Sequence, residues 1–475
     1  MKINSYIFRG YDIRGLVDKD LNEEIAEHIG KAHGTFLKRK GIKKAVVARD
    51  FRQTSPQYSK AIIKGLIWAG IDVIDIGMEL VGTFYWSQYY LNCQGGVYVS
   101  ASHNPAQYNG FKLAVDFSET MVSDSIQELR KMIENDDYEK GDEEGKIEEQ
   151  SIREAYFSEL LKRFNFSKKF KIVVDPSCST PGVIIPEILR KAGNEVVEKN
   201  CNLDTSFPLG PSDPTDMVVA ERLKNEVLHE KADIGFSYDA DGDRIGIVDE
   251  KGNIIWNDVL VALFSIGVLK NHPGATIMFN TLCSKVVEDV ILREGGKPFM
   301  WRTGHSFLKK KNQEVKAAFI GELSGHFFFS KDFYNHDDGI YSTLYLLDYL
   351  GKTGQSLATA VGNLPKYISS PEIKVFCADD RKVSLVKEMV PLLRNDFKNA
   401  EIIDDQRAGD GVRVNLTDGM FVIRYSQNAP YLTIKFEAKT QEKYEELKKY
   451  INNFLHSYKE IDWTSDINLN LGSLI

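Results

Sequence analysis

The sequence predicts an α/β protein with three related α/β domains, each with a mixed sheet, followed by a smaller C-terminal α+β domain. Two observations lead to this fold class. An apolar strand, a capped helix and a glycine recur three times along the chain, at a spacing of roughly 100 to 125 residues, about one domain each. The last part of the chain instead has closely spaced strands and one amphipathic helix.

The first copy of this unit begins with Ala45 to Ala48, which we interpret as a buried strand. Thr54-Ser55-Pro56 then predicts a helix start, because a hydroxyl caps a helix well and proline suits its first turn. Gly70 ends this helix. The second copy runs from Ile172 to Gly193, and the third runs from Ile277 to Gly296.

The C-terminal domain has strand-like segments at Gly411 to Val414, Phe421 to Ile423 and Tyr431 to Phe436. A helix with one apolar face follows them, and an acidic, glycine-containing run at 135–150 marks the first domain boundary. The predicted domains are domain I (1–150), domain II (151–253), domain III (254–365) and domain IV (366–475).

The composition is that of a globular protein with a modest excess of acidic residues. A net charge of −8 over 475 residues argues against a general nucleic-acid binder, because contacts to many phosphates need a basic surface. The five cysteines form no C-x-x-C pair, so neither a disulfide framework nor a thiolate zinc site is indicated. No segment predicts a membrane span or a signal peptide, and we predict a cytoplasmic location.

The segment Val97-Tyr98-Val99-Ser100-Ala101-Ser102-His103-Asn104-Pro105 is an apolar run that ends in small polar residues and a proline. This pattern predicts a strand that leads into a turn. Because Ser102 has His103 beside it, we interpret its hydroxyl as a group that is exposed and presented to a ligand. The alternative is a plain strand-ending turn, since serine, asparagine and proline are ordinary turn residues.

The run Asp239-Ala240-Asp241-Gly242-Asp243-Arg244 concentrates three carboxylates in one connection between two predicted strands. Their charges repel each other unless a cation is bound, and magnesium takes oxygen ligands of this kind. An EF-hand is disfavoured because Arg244 stands where that loop needs glycine. The arginine also suits a phosphate as a further ligand of the metal. A solvated acidic turn and a calcium loop are the alternatives.

Three further loops carry polar side chains after predicted strands, where open α/β sheets bind their ligands. Gly321 to His326 offers Glu322 and Ser324 to sugar hydroxyls, and Trp301 to Ser306 is comparable. Arg424 to Pro430 offers a guanidinium, a hydroxyl and two amides, which suit a phosphate. Ordinary surface turns are the alternative for all three loops.

Together these stretches resemble the α-D-phosphohexomutase family, most closely its phosphomannomutase/phosphoglucomutase branch. Ser102 to Pro105 matches that family's phosphoserine loop, and Asp239 to Arg244 matches its magnesium loop. Gly321 to His326 matches its sugar loop, and Arg424 to Pro430 matches its phosphate loop. The four motifs occur in the family's order, and the resemblance covers almost the whole chain.

The resemblance implies that phosphorylated Ser102 passes its phosphoryl group to a sugar monophosphate, and that the resulting bisphosphate reorients and rephosphorylates Ser102. The implied cofactors are magnesium and a hexose 1,6-bisphosphate primer, and each domain would supply one loop to a central cleft. The implied metal ligands are Ser102, Asp239, Asp241 and Asp243, and the implied catalytic residues are Ser102, His103, Lys112 and Arg244. The implied substrate-binding residues are Tyr11, Arg14, Thr303, Gly304, His305, Glu322, Ser324, His326, Arg424, Ser426 and Asn428.

The sequence departs from the family's pattern at two places. Gln427 and Asn428 stand where relatives commonly have a glycine or asparagine followed by threonine. Leu282 stands where several mutases carry a lysine, so Lys112, His103 and His305 are the candidates for proton transfer.

The expected partners are small sugar phosphates, with no nucleic acid and no membrane, and the expected assembly is a monomer or a small homo-oligomer. The expected substrates are phosphates of mannose, glucose or both. A phosphoglucosamine mutase is the alternative within the family. A magnesium-dependent sugar phosphatase and a non-catalytic sugar-phosphate binding protein are the alternatives outside it.

Overall fold

The computed structural model describes residues 3–427 and 429–475. Within these residues the strands form four sheets, and no helix there has the length and apolar content that crossing a bilayer requires. The chain divides into two compact units. The first contains the chain up to Pro214 with Glu221–Asn253 and Tyr334–Ser356, and the second contains Thr215–Ala220, Ile254–Phe333 and the chain from Leu357 onward.

The first sheet contains parallel and antiparallel strands. Its strands are β1 (Ile13–Leu16), β2 (Lys44–Arg49), β3 (Asp72–Met78), β4 (Gly95–Val99), β5 (Tyr108–Asp116), β6 (Glu119–Thr120) and β7 (Ile147–Glu149). They are ordered β1-β5-β4-β2-β3-β7, and β6 pairs with β5. The helices of this part are α1 (Glu23–Arg39), α2 (Ser55–Trp68), α3 (Val81–Tyr90) and α4 (Asp124–Glu134).

The second sheet is smaller and follows in the same unit. Four of its five strands are β8 (Lys171–Asp175), β9 (Glu195–Glu198), β10 (Ile234–Tyr238) and β11 (Ile245–Asp249), in the order β9-β8-β10-β11. The accompanying helices are α5 (Arg153–Arg163), α6 (Ile185–Lys191) and α7 (Met217–Glu230).

The third sheet belongs to the second unit. After the short strand β12 (Ile254–Ile255), its strands are β13 (Thr276–Asn280), β14 (Lys297–Trp301), β15 (Phe319–Gly321) and β16 (Phe327–Phe328), in the order β14-β13-β15-β16. The helices of this stretch are α8 (Asn257–Asn271), α9 (Lys285–Arg293), α10 (His305–Val315), α11 (Gly339–Thr353) and α12 (Leu357–Gly362). Of these, α11 belongs to the first unit.

The first three sheets share one topology. In each sheet the first strand of the repeat lies between the second and third strands and runs parallel to both, and the fourth strand is antiparallel to the third. The repeats are β2 to β5, β8 to β11 and β13 to β16. This common order confirms the predicted set of three related α/β domains with mixed sheets.

The fourth sheet is antiparallel throughout. Its strands are β17 (Ile368–Ser369), β18 (Ile373–Cys377), β19 (Glu401–Ile403), β20 (Gly411–Asn415), β21 (Gly419–Tyr425), β22 (Tyr431–Ala438) and β23 (Ile461–Asp462), and its helices are α13 (Lys382–Asp396) and α14 (Gln441–His456). Leu447, Ile451 and Leu455 of α14 are buried in its core, as the apolar face predicted. The tail also packs here, because Leu469 pairs with Lys374 and Leu474 is buried. This domain is the predicted C-terminal α+β domain.

The hydroxyls of Thr54 and Thr180, which precede the helices of the first two copies, have partners outside those helices. Thr54 precedes α2 and makes no capping hydrogen bond; its Oγ1 accepts from Asn109 Nδ2 at 2.9 Å. Thr180 begins a 3₁₀ turn, and α6 starts only at Ile185. The Thr180 Oγ1 accepts from the Phe51 backbone N–H at 3.2 Å. Both hydroxyls therefore satisfy groups in distant segments instead of a helix end.

Candidate active site

Three of the predicted functional loops occupy the same topological position. Each connects the third and fourth strands of its repeat: the Ser102 loop joins β4 to β5, the aspartate loop joins β10 to β11, and the Glu322 loop joins β15 to β16. Each loop therefore leaves the carboxyl end of a strand that has a parallel neighbour, where α/β sheets bind ligands. The sequence indicated each loop separately but not this equivalence.

Ser102 lies in the first unit in a strained and enclosed conformation. Its φ is +48°, in the left-handed region that non-glycine residues seldom adopt. Its Oγ donates to Asp239 Oδ2 at 2.6 Å and lies 3.2 Å from His103 Nδ1. The side chain is buried, with 1% exposure, so the expectation of an exposed hydroxyl is wrong. The contact with the Asp239 carboxylate explains the difference.

The three aspartates of the β10–β11 loop form one buried cluster. A carboxylate oxygen from each of Asp239, Asp241 and Asp243 lies within 4.8 Å of the others. Burial raises the pKa of Asp239 well above its ordinary value, and the charges of Asp243 and Asp241 raise it further. Asp241 Oδ1 is buried without a hydrogen-bond partner. A crowded set of carboxylate oxygens that includes the unpartnered Asp241 Oδ1 fits a divalent cation, which prefers oxygen ligands.

Lys112 on β5 contributes a positive charge to this cluster. Its Nζ lies 2.8 Å from Asp243 Oδ2 and 3.3 Å from Asp241 Oδ2. Burial lowers the pKa of the Lys112 ammonium, but Asp241 and Asp243 outweigh burial and raise the pKa well above its usual value. These two contacts make Lys112 a charge partner of Asp241 and Asp243.

Ser100 connects the two loops of the first unit. Its Oγ accepts from the Ser102 backbone N–H at 2.7 Å and donates to Asp241 Oδ2 at 3.2 Å. Sequence reasoning gave this residue no role, because a serine two positions before Ser102 looks like any other turn residue. Its role is visible only in the folded chain, where Ser100 contacts both the Ser102 loop and the aspartate loop.

Arg14, from the N-terminal segment, contacts the Ser102 loop. Arg14 belongs to β1, which pairs antiparallel with β5. Arg14 Nη1 donates to Ala101 O at 3.2 Å and to Asn104 Oδ1 at 2.9 Å. Tyr11 is partly exposed just before β1. Arg244 follows the aspartates, and its backbone N–H donates to Asp239 Oδ1 at 3.1 Å.

In the second unit, Glu322 joins two of the predicted sugar-binding segments. Its Oε2 accepts from the Gly304 N–H at 3.1 Å and from Asn280 Nδ2 at 3.3 Å, and Asn280 Nδ2 also lies 3.2 Å from Thr303 Oγ1. Asn280, at the end of β13, was missed because its sequence context is an ordinary strand end. The rings of His305 and His326 stack with centroids 5.1 Å apart, and Ser324 is partly exposed.

The predicted phosphate loop joins β21 to β22 in the second unit. Arg424 forms a two-point ion pair with Asp410, with Nε 2.8 Å from Oδ1, and Gln427 Nε2 lies 3.4 Å from Asp410 Oδ2. The Ser426 Oγ accepts from the Ala429 N–H at 3.2 Å. Asn428 lies outside the described residues. Asp410, which orients Arg424, was not predicted.

Comparison with known proteins shows the same organisation. Family models described as phosphoglucomutase/phosphomannomutase α/β/α domains I, II and III match residues 5–140, 154–252 and 256–367. A phosphomannomutase/phosphoglucomutase of Pseudomonas aeruginosa is 37% identical to the chain over 94% of the chain and 95% of the relative. The chain belongs to the α-D-phosphohexomutase family.

Two further relatives place the chain among phosphohexomutases over its full extent. A phosphoglucomutase of Neisseria gonorrhoeae is 33% identical over 96% of this chain and 98% of its own. A solved phosphoglucomutase/phosphomannomutase family structure from Burkholderia thailandensis has a TM-score of 0.87 at 32% identity, covering 96% of this chain and 98% of that one. The resemblance drawn from the four motifs is thus confirmed.

One departure from the phosphohexomutase pattern has a clear structural form. Leu282, where several mutases carry a lysine, follows β13 and is buried with 1% exposure. Arg413 donates to the carbonyls on both sides of it, Thr281 O and Cys283 O, each at 2.6 Å. The segment is therefore fixed by its backbone, and position 282 supplies an apolar side chain to the interior.

Proposed function

We propose that this enzyme interconverts hexose 1-phosphates and hexose 6-phosphates of mannose, glucose or both, through a phosphoserine at Ser102 and a hexose 1,6-bisphosphate intermediate. The observation that carries the proposal is the 2.6 Å hydrogen bond from Ser102 Oγ to Asp239, inside a cluster of three buried aspartates. The curated relatives named phosphomannomutase/phosphoglucomutase support the choice of reaction and hexoses.

Asp239, Asp241 and Asp243 would hold magnesium together with the phosphate on Ser102. When bound, the cation would neutralise charge on the transferring phosphoryl group. Arg244 would contact the same group with its guanidinium. His103, whose Nδ1 lies 3.2 Å from Ser102 Oγ, is the candidate for moving the proton of the reacting hydroxyl.

The residues of the second unit would bind the substrate. Glu322 and Ser324 would contact the 3- and 4-hydroxyls of the sugar, and Thr303, Gly304, His305 and His326 would flank them. Arg424, held in one orientation by Asp410, would bind the phosphate that does not react, together with Ser426 and Asn428. Tyr11 and Arg14 complete the proposed set.

Small-molecule sugar phosphates are the proposed partners, and a hexose 1,6-bisphosphate is the proposed primer. The cytoplasm is the proposed location, and a monomer or small homo-oligomer is the proposed assembly. The domain boundaries 1–150, 151–253, 254–365 and 366–475 likewise stay predictions.

The test compares glucose 1-phosphate, mannose 1-phosphate and glucosamine 6-phosphate with magnesium and glucose 1,6-bisphosphate present. Glucose and mannose differ only at C2, and contacts to the shared 3- and 4-hydroxyls discriminate weakly between them. We expect both to react, with kcat/KM values that differ by less than about 10³-fold, because a position that no group reads discriminates by roughly 10 to 200-fold.

One outcome would restrict the enzyme to a single hexose, and two others would contradict the assignment. A ratio of about 10⁴ or larger would show that a residue reads C2. Faster turnover of glucosamine 6-phosphate would make the enzyme a phosphoglucosamine mutase. Release of free phosphate without an isomerised sugar phosphate would make it a phosphatase.

A further inference from the structure

Arg52 is a fully enclosed arginine that binds the backbone of the Ser102 loop. It follows β2 and has 1% exposure. Its Nη2 donates to Ser102 O at 2.6 Å and to Asn104 O at 2.5 Å. Its Nη1 donates to Pro105 O at 2.8 Å and to Tyr108 O at 2.9 Å. One side chain therefore donates hydrogen bonds to four backbone carbonyls within seven consecutive residues, the first of which is Ser102.

The guanidinium is itself held in place. Its Nε lies 3.2 Å from Asp50 Oδ2, and Asp50 Oδ1 accepts from Ser55 Oγ at 2.5 Å and from the Arg52 N–H at 3.0 Å. The carbon centre of the guanidinium lies 4.8 Å from the centroid of the Phe207 ring. The ion pair with Asp50, the hydrogen bond from the Arg52 N–H to Asp50 and the face of the Phe207 ring thus fix the guanidinium plane. A fixed plane lets this five-donor group serve several acceptors at once.

The Ser102 loop needs such support because its conformation is unfavourable. A non-glycine residue at φ +48° is strained and persists only where its surroundings impose the conformation. Four carbonyls that converge on one point also repel each other if the guanidinium is removed, and of the four Pro105 O keeps a hydrogen bond from the Tyr108 backbone N–H at 3.0 Å. Arg52 satisfies these carbonyls and holds the backbone that carries the Ser102 side chain.

We propose that Arg52 is the positioning residue of the phosphoserine loop: it holds Ser102 in the left-handed conformation that directs Oγ towards Asp239 and the incoming phosphoryl group. The inference rests on the proposed function. In the step concerned, the bond from Ser102 Oγ to phosphorus forms and the bond from that phosphorus to the sugar oxygen breaks. The hydroxyl proton of Ser102 passes to that sugar oxygen. Arg52 contacts only the loop backbone and exchanges no atom in this step.

The test is the single-turnover phosphorylation of dephosphorylated full-length enzyme by glucose 1,6-bisphosphate, with quenched samples analysed by mass spectrometry. Wild type is compared with Arg52→Gln, Arg52→Lys and the control Arg222→Gln. Arg222 pairs with Asp175 in the same unit, 2.7 Å from its Oδ2, and lies outside the proposed machinery. The rate constant is the readout, because an unfolded fraction lowers only the amplitude.

For Arg52→Gln we expect the rate constant at saturating bisphosphate to fall by about 10²-fold or more, the loss that a displacement of about 1 Å produces. The bisphosphate concentration at half saturation stays within about threefold of wild type, because Arg52 makes no contact with the donor. Arg52→Lys has an intermediate rate constant, since an ammonium reaches fewer carbonyls than a guanidinium. Arg222→Gln keeps the wild-type rate constant.

The inference is overturned if either Arg52 variant is phosphorylated at the wild-type rate constant. It is equally overturned if the half-saturating concentration rises in step with the loss of rate, which would place Arg52 on the donor. Loss of the folded state in both variants, seen by circular dichroism, would make Arg52 a residue of general stability and overturn it too. If wild-type Ser102 takes up no phosphate, the proposed function fails first, and this inference fails with it.

Discussion

At the scale of single residues, the chemistry of this protein depends on crowded charge. Three aspartates are buried together at the end of β10, and the Lys112 ammonium compensates two of them. Buried carboxylates of this density are costly unless cations are close. The cluster thus favours a metal cation and a phosphate together. The cation would balance the carboxylates, and its positive charge would also attract the phosphate.

Replacing Asp241 by asparagine tests this account of the cluster. The amide is a poorer ligand for a hard cation, so we expect magnesium affinity and magnesium-dependent turnover each to fall by at least about 100-fold, since outer-shell partners alone contribute 10- to 100-fold. Magnesium titration by calorimetry measures the binding. Asp249→Asn, which alters the buried aspartate at the end of β11, is the control. Full turnover of wild type in excess chelator would refute the metal's role.

His33 provides a second prediction, on stability. This histidine lies in α1, and its Nε2 is 3.2 Å from Gly96 O and 3.1 Å from Ala114 O, so it must donate to these carbonyls. Burial lowers its pKa to about 4. The unfolded chain binds a proton near pH 6.5 and the folded chain does not, so stability is full above pH 6.5 and decreases as the pH falls towards 4.

At pH 5 this linkage amounts to about 2 kcal/mol. We therefore expect His33→Gln to reduce, by about that amount, the loss of stability between pH 7.5 and pH 5. Native-state hydrogen exchange of the α1 and α2 amides measures the free energy locally. His229→Gln, which removes a histidine that is 77% exposed, is the control. Identical pH dependence in wild type and His33→Gln would show that His33 is not the group responsible.

At the scale of elements, the repeated topology explains where the proposed functional residues lie. Three sheets with the same strand order present the loop between the third and fourth strands, and the three loops carry a serine, three aspartates and a glutamate respectively. The chemistry differs, although the position is shared. A strand end with a parallel neighbour on one side is a stable place from which a loop can vary.

The packing of α1 on α2 yields a prediction at this scale. A Cβ on Gly65 would lie 2.3 Å from Glu27 O and 2.7 Å from the carbonyl carbon of Gly30, so the two helix backbones are in direct contact. Gly65→Ala must push them apart, and we expect a loss of about 1–3 kcal/mol or more.

Hydrogen exchange in α1 and α2 again measures the effect. Gly362→Ala is the matched control, because a Cβ there would meet nothing within 4 Å. Its exchange in α1 and α2 should equal that of wild type. Equal protection in Gly65→Ala and wild type would mean that the helices separate without cost.

At the scale of the whole molecule, local patterns predicted more than long-range ones. Strand–helix–glycine units and four loop motifs were enough for the fold class and the family, because each pattern is contained within a few neighbouring residues. Arg52, Ser100 and Asp410 were not found, because their roles come from partners that only the folded chain brings near. The enclosure of Ser102 was missed for the same reason.

The placement of α11 is a further example. It follows the third sheet in sequence but belongs to the first unit, where Thr343 Oγ1 lies 2.7 Å from the hydroxyl of Tyr238 on β10. Nothing in the helical periodicity of α11 states which sheet it covers. Assignments of this kind need the tertiary structure, because apolar faces are interchangeable while hydrogen-bond partners are not.

The proposed reaction depends on Ser102 carrying the phosphoryl group, which peptide mapping can detect. Dephosphorylated enzyme is incubated with magnesium and glucose 1,6-bisphosphate, digested, and mapped by tandem mass spectrometry, with Ser102→Ala as the control. We expect one phosphate per chain, on Ser102, and none in the variant. Phosphate on Ser100 instead, or no phosphate on the wild-type chain, would contradict it.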